Sequence, residues 1–132
     1  MNDLPIEAFG PDARFHHVGL AVRKLEEARL GPLDSKVDPV QKVRVAFVTL
    51  GNCLVELLEP AAPESPVSNS LAKGNRLLHL CFEVPNLEQA LSAARLNGFK
   101  VIHPPVQAIA FDGRHIAWLF HLTWGVVELL EA

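Results

Sequence analysis

The chain has 132 residues, 49% of them hydrophobic and 20% charged, and carries a net charge of −3 with its six histidines neutral. That apolar share supports a packed core and argues against disorder, and the length suits one domain. No basic stripe or arginine-rich helix stands out, so nucleic acid is not an expected partner. No apolar run approaches the roughly 20 residues of a membrane helix, so no membrane association is expected. The opening stretch MNDLPIEAFGPDAR lacks a charged-then-apolar leader pattern. A cytoplasmic, reducing location is expected, where Cys53 and Cys81 serve as small buried hydrophobes.

In chain order, residues 15–22 alternate in polarity and are rich in β-formers, which predicts a strand. A short helix is expected around Lys24–Leu30, cut by Gly31-Pro32. Pro39 marks the entry to a hairpin with strands at 43–50 and 54–59, joined by the tight-turn dipeptide Gly51-Asn52. Residues 60–76, rich in Pro, Ser and Gly, read as a linker with a helical turn near Ser68–Lys73. A strand at 78–84 precedes a helix at 86–97, with Asn86 as N-cap, Gln89 three residues on and Gly98 as the stop. Leu87, Ala90, Leu91 and Ala94 give that helix one apolar face. Strands follow near 99–103, at 115–121 and at 125–131, with a loop over 103–114 beside the site.

Three segments recur in the same order. HHVGLAV at 16–22 matches LHLCFEV at 78–84, VAFV at 45–48 matches IAWL at 116–119, and LVELLE at 54–59 matches VVELLE at 126–131. Such repetition implies duplicated halves. The expected fold is a single α+β domain of two βαβββ modules, about 15–60 and 77–132, with the linker at 61–76 between them.

Four residues stand out against this frame. In strand 15–22, Val18, Leu20 and Val22 form an apolar face that should pack under helices, while His17 shares the other face with Gly19 and Ala21. His79 likewise shares a face with Cys81 and Glu83. Small neighbours beside each imidazole suggest a cavity. Glu56 lies between Leu54 and Leu58 on one strand face, and Glu128 between Val126 and Leu130. A carboxylate on an inward apolar face is costly unless it is paired or ligates a metal. The costly arrangement occurs at equivalent positions of both halves. His17, Glu56, His79 and Glu128 therefore form a candidate nitrogen/oxygen cage for a divalent cation such as Zn, Co, Mn, Ni or Fe. Singly, a strand histidine is ordinarily a hydrogen-bonded structural residue and a strand glutamate a solvated one; the symmetry of the quartet sets these four apart. His16, His103, His115 and His121 have no counterpart in the repeat and read as structural or exposed.

FHHVGLAV, QKVRVAFVTLGNCLVELLEP, SPVSNSLAKG, LLHLCFEVPNLEQAL and GVVELLEA together resemble the vicinal oxygen chelate (glyoxalase, bleomycin resistance, dioxygenase) superfamily, and within it the methylmalonyl-CoA epimerase branch. The likeness runs from about Phe15 to Glu131. It implies curved mixed sheets around a cleft, with His17, Glu56, His79 and Glu128 in the family's four metal-ligand positions. It implies a small-molecule substrate: an acyl-CoA, another thioester, a glutathione adduct or a sugar-derived carbonyl. An exposed strand edge in each module points to a homodimer. The segments LEEARLGPLDSKVD and FDGRHIAW depart from the family pattern, and Gln41–Val45 lacks the second acid/base carboxylate of some epimerases.

The implied activity is metal-dependent epimerisation or isomerisation by proton abstraction next to a carbonyl or thioester, with Glu128 or Glu56 as the catalytic base. Lys42, Arg44 and Arg114 are candidates for an anionic substrate tail and are otherwise surface charges. Two alternatives keep the fold: a non-catalytic ligand-sequestering member, and an extradiol-type iron dioxygenase using His17, His79 and Glu128.

Overall fold

The computed structural model describes residues 7–132; residues 1–6, part of the stretch read as lacking a leader pattern, lie outside the described residues. After a 3₁₀ turn at Glu7–Phe9 come β1 (Arg14–Ala21), a 3₁₀ turn (Leu25–Ala28), β2 (Lys36–Asp38), β3 (Val43–Leu50) and β4 (Cys53–Pro60). Helix α1 (Pro66–Ala72) leads to β5 (Leu77–Val84), α2 (Leu87–Leu96) and β6 (Lys100–Gln107), then a 3₁₀ turn (Ile109–Phe111), β7 (His115–His121) and β8 (Gly125–Glu131). No helix among the described residues is long and apolar enough to cross a membrane.

The repeat is visible in the pairing. β1 runs parallel to β4, with Gly19 opposite Glu56, and β5 runs parallel to β8, with Cys81 opposite Glu128. β3 and β7 complete the two hairpins antiparallel, placing Phe47 opposite Glu56 and Trp118 opposite Glu128. The last glutamate of each LLE segment does a second, equivalent job. Glu59 Oε1 accepts the Leu25 N–H at 2.9 Å, and Glu131 Oε2 accepts the Leu87 N–H at 2.8 Å. Each carboxylate thus satisfies an orphan donor at the start of a helical turn.

The chain divides into two compact units, one of residues 17–79 and 108–113, the other of residues up to His16, 80–107 and 114–132. In the first, Ala21, Val43, Val45, Leu58 and Val67 form one buried cluster, and Leu25, Ala46, Val55 and Leu57 another. Leu20 and Val22 pack on the second of these. In the other unit, α2 lays Leu87, Ala90, Leu91 and Ala94 against Phe82, Val84, Leu119, Val127 and Leu129. Asn86 caps α2 by accepting the Gln89 N–H, and Gly98 closes it at φ +86°, as the sequence pattern predicts. Cys53 is half-buried and Cys81 buried, and each Sγ donates to the following residue's carbonyl, at 3.8 and 3.9 Å.

Several local expectations are corrected. The helix expected at Lys24–Leu30 is only a 3₁₀ turn over Leu25–Ala28, ended by Arg29 at φ 55°. Gly31 and Pro32 follow too soon for an α-helical ladder to form. The turn expected at Ser68–Lys73 is a full helix from Pro66, capped by Ser65 and favoured by proline at its first position. The three residues of β2 were not anticipated from the sequence; Asp38 at its end is buried and holds the next turn by accepting the Val40 and Gln41 N–H groups. β6 extends to Gln107, so the expected 103–114 loop is shorter and contains a 3₁₀ turn. Pro104 and Pro105 are tolerated there because β6 is an edge strand whose register with β7 shifts around them.

Glu131→Ala is expected to lower stability by about 1 kcal/mol, the usual effect of losing a helix cap, measurable by urea unfolding. Glu88→Ala, one residue further along α2 on its exposed face, should change it by less than about 0.5 kcal/mol.

Candidate metal centre

The first unit brings three of the sequence-selected side chains to one point. β4 carries Glu56 between Gly19 of β1 and Phe47 of β3. His17 lies two residues before Gly19, on the same strand face, and His79 enters from β5. His17 Nε2 is 3.2 Å from His79 Nε2 and 3.4 Å from Glu56 Oε1, and His79 Nε2 is 3.5 Å from the same oxygen. All three residues are buried, at 0%, 3% and 4% exposure for His17, Glu56 and His79.

Gly19 makes the convergence possible. A Cβ placed on it would stand 2.2 Å from His79 Cε1, so the imidazole lies directly against the β1 backbone. The cavity expected beside the small residues is, at Gly19, filled by this ring. The burial of β1 also favours the histidine face: His17, Gly19 and Ala21 are buried, while Val18 and Leu20 are half-buried.

The spacing fits a cation. Donors bound about 2.0–2.2 Å from one ion stand roughly 3–3.5 Å from each other, and the three observed separations fall in that range. The donor set, two imidazole nitrogens and a carboxylate oxygen, suits Zn, Fe, Mn, Co or Ni. It also supplies Glu56 with partners in a place where an isolated carboxylate would be strongly disfavoured.

Glu128 belongs to the other unit. It is 2% exposed on β8, between Cys81 and Trp118, in the register that Glu56 has between Gly19 and Phe47. The remaining histidines lie outside this group. His103 and His115 are exposed, His16 is half-buried, and His121 Nδ1 accepts the Thr123 N–H at 2.9 Å.

Two aromatic residues that the sequence did not mark surround His17. Phe47 meets its ring edge-on at 5.5 Å between centroids, and Phe111 stacks on it at 5.7 Å with 26° between the planes. Phe47 read only as a strand hydrophobe. Phe111 fell in a segment read as loop, Ala108-Ile109-Ala110-Phe111-Asp112-Gly113, where nothing local set it apart.

The cations considered for an anionic tail are already engaged. Lys42 pairs with Glu64 at 3.3 Å and Arg44 with Glu59 at 3.6 Å. Arg114 donates from Nε to the Glu131 carbonyl at 2.8 Å and pairs with Glu83, which gives it a structural role. Asp38, three residues before Gln41, accepts from the Val40 and Gln41 N–H groups and from Gln41 Nε2.

Residues 16–118 match the Glyoxalase/Bleomycin resistance protein/Dioxygenase superfamily, and the chain belongs to it. It is similar to the mitochondrial methylmalonyl-CoA epimerases of Homo sapiens and Mus musculus, 32% and 39% identical over 131 residues, covering 90% of this chain and 74% and 73% of theirs. An ethylmalonyl-CoA/methylmalonyl-CoA epimerase of Cereibacter sphaeroides is 30% identical over 116 residues, 80% of this chain and 87% of its own. Among solved structures, a hypothetical protein of Bacillus halodurans superposes with a TM-score of 0.78 at 26% identity, covering 92% of this chain and 95% of that one. Streptomyces coelicolor methylmalonyl-CoA epimerase, in complex with 2-nitronate-propionyl-CoA, shares the fold at a TM-score of 0.75 and 23% identity, over 90% of this chain and 94% of its own. These likenesses agree with the α+β, twice-repeated βαβββ topology.

Gly19→Ala is expected to displace the His79 ring and destabilise the protein by about 1–3 kcal/mol, the usual overpacking range. The same substitution in a His79→Ala background should cost clearly less, a coupling that a double-mutant unfolding cycle measures.

Proposed function

We propose that this protein is a metal-dependent epimerase of an acyl-CoA thioester of the methylmalonyl-CoA kind, with His17, Glu56, His79 and Glu128 holding one divalent cation. The observation that carries the reading is the buried convergence of two imidazole nitrogens and the Glu56 oxygen at 3.2–3.5 Å. The similarity to epimerases supports the reaction class. The internal repeat supports Glu128 as the fourth ligand, since it is the buried counterpart of Glu56.

The cation, when bound, supplies a Lewis-acid pole that draws electron density from a carbonyl or thioester oxygen and so acidifies the adjacent C–H. The chain's own groups do the rest. Neutral His17 and His79 present Nε2 lone pairs to the centre. Glu128 or Glu56 takes the α-proton on a carboxylate oxygen, and return of a proton to the opposite face of the flattened carbon gives the epimer. No carboxylate lies in Gln41–Val45, so these two glutamates are the acid/base groups of the reading. The apolar rings of Phe47 and Phe111 beside His17 exclude water from that side. The reading extends to a cytoplasmic homodimer, which the exposed edge strands β2 and β6 would suit.

The test is exchange of the α-proton of methylmalonyl-CoA in D₂O, followed by NMR, with protein supplied with Co²⁺, Mn²⁺ or Zn²⁺. Exchange and epimerisation are expected with metal and should vanish on chelation. Glu128→Ala should lower kcat by about 10²–10⁴-fold, the range for loss of a general base. Acyl-CoA binding without exchange would replace this reading with ligand sequestration, and oxygen uptake with a catechol would replace it with a dioxygenase. Absence of bound metal after loading would overturn the site itself.

A further inference from the structure

The segment Ala108–Gly113 connects β6 to β7, yet it packs in the first unit, with the metal-centre residues. It is a closed turn: Phe111 N–H and Gly113 N–H both donate to the Ala108 carbonyl, at 3.2 and 2.9 Å, and Asp112 N–H donates to Ile109 at 3.1 Å. Ala110 packs on the cluster of Ala21, Val43, Leu58 and Val67. Asp112 Oδ1 meets Lys36 Nζ at 2.7 Å on the surface, where such a pair contributes little. The anchors of this strap are therefore the buried Ala108 and Phe111 and the half-buried Ala110.

Phe111 is 7% exposed, and its ring lies against the face of His17 while also touching Phe47 at 5.6 Å. The terminal torsion of a histidine is shallow and roughly two-fold. Rotation of the plane about it swings Nε2 away from the place where Glu56 and His79 meet. The plane of the ring is set by what packs on its faces and edges, and here the face contact comes from Phe111, with Phe47 and His79 meeting it at 81° and 80°.

We propose that Phe111 is a positioning residue: the strap holds its ring flat against His17, fixing Nε2 toward Glu56 and His79 and so setting the affinity of the centre for a divalent cation. This rests on the metal-binding reading given above. Phe111 need not touch substrate. It acts through His17, in the way that groups outside the ligand set orient ligands elsewhere.

The experiment compares Phe111→Ala, Phe111→Leu and Phe111→Tyr with the unsubstituted protein. Co²⁺ affinity is measured by calorimetric titration, and the His17 ring by NMR of the metal-free protein with ¹⁵N-labelled histidine. Phe111→Ala and Phe111→Leu should weaken Co²⁺ binding about 10–100-fold, as outer-shell changes do, and broaden or shift the His17 ring signals. Phe111→Tyr, which keeps the flat face, should stay within about threefold of the starting affinity, well under one decade. Leucine keeps bulk without a flat face, so an affinity and a His17 spectrum for Phe111→Leu like those of the unsubstituted protein would overturn the proposal, even if its melting temperature falls. Should Phe111→Ala not fold, Phe111→Leu decides alone. Failure of the unsubstituted protein to bind Co²⁺ would refute the metal centre, whereas the His17 spectra judge the ring positioning separately.

Discussion

A carboxylate buried in the middle of a hydrophobic strand is the constraint on which the rest of the structure depends. Glu56 follows Val55 and precedes Leu57 and Leu58, all buried, and is itself 3% exposed. Left alone there, an ionised carboxylate costs several kcal/mol. The fold answers by bringing two imidazole nitrogens to the same oxygen. That answer sets requirements on other elements. β1 must pair parallel with β4 in the register that puts Gly19 beside Glu56, and position 19 must be glycine because the His79 ring lies where a Cβ would stand.

Duplication explains why one short sequence can serve two ends. In each VELLE segment the first glutamate faces inward, and the last satisfies a backbone N–H at the start of the next helical turn. The same strand thus supplies a buried acid and anchors the element that covers the core. The two copies are not identical around the acid. Glu56 faces glycine and phenylalanine, whereas Glu128 faces cysteine and tryptophan. The glycine admits the His79 ring beside Glu56.

Much of this was legible in the residues. Period-two alternation located β1, and the internal repeat with the Gly51-Asn52 turn signal placed β3, β4, β5, β7 and β8. Asn86, Gln89 and Gly98 bounded α2 through capping chemistry that acts locally. The candidate ligands were legible because burying charge is costly, so inward glutamates at matched positions are informative. What was not legible depended on tertiary context. β2 is three residues long and exists because β3 pairs with it. β6 carries Pro104-Pro105, a breaker signal that only an edge position overrides. The first helix shrank to a 3₁₀ turn because Gly31-Pro32 follows it closely. Phe111 gave no local sign of its role, since its contact with His17 arises from the packing of a distant turn.

The most direct measurement is a crystal structure of protein soaked with Zn²⁺, with anomalous scattering collected at the zinc edge. A single peak about 2.0–2.2 Å from His17 Nε2, His79 Nε2 and a Glu56 oxygen, the distances zinc requires, is the expected result. A peak elsewhere, or a fully substituted crystal with these three side chains hydrogen-bonded only to one another, would contradict it.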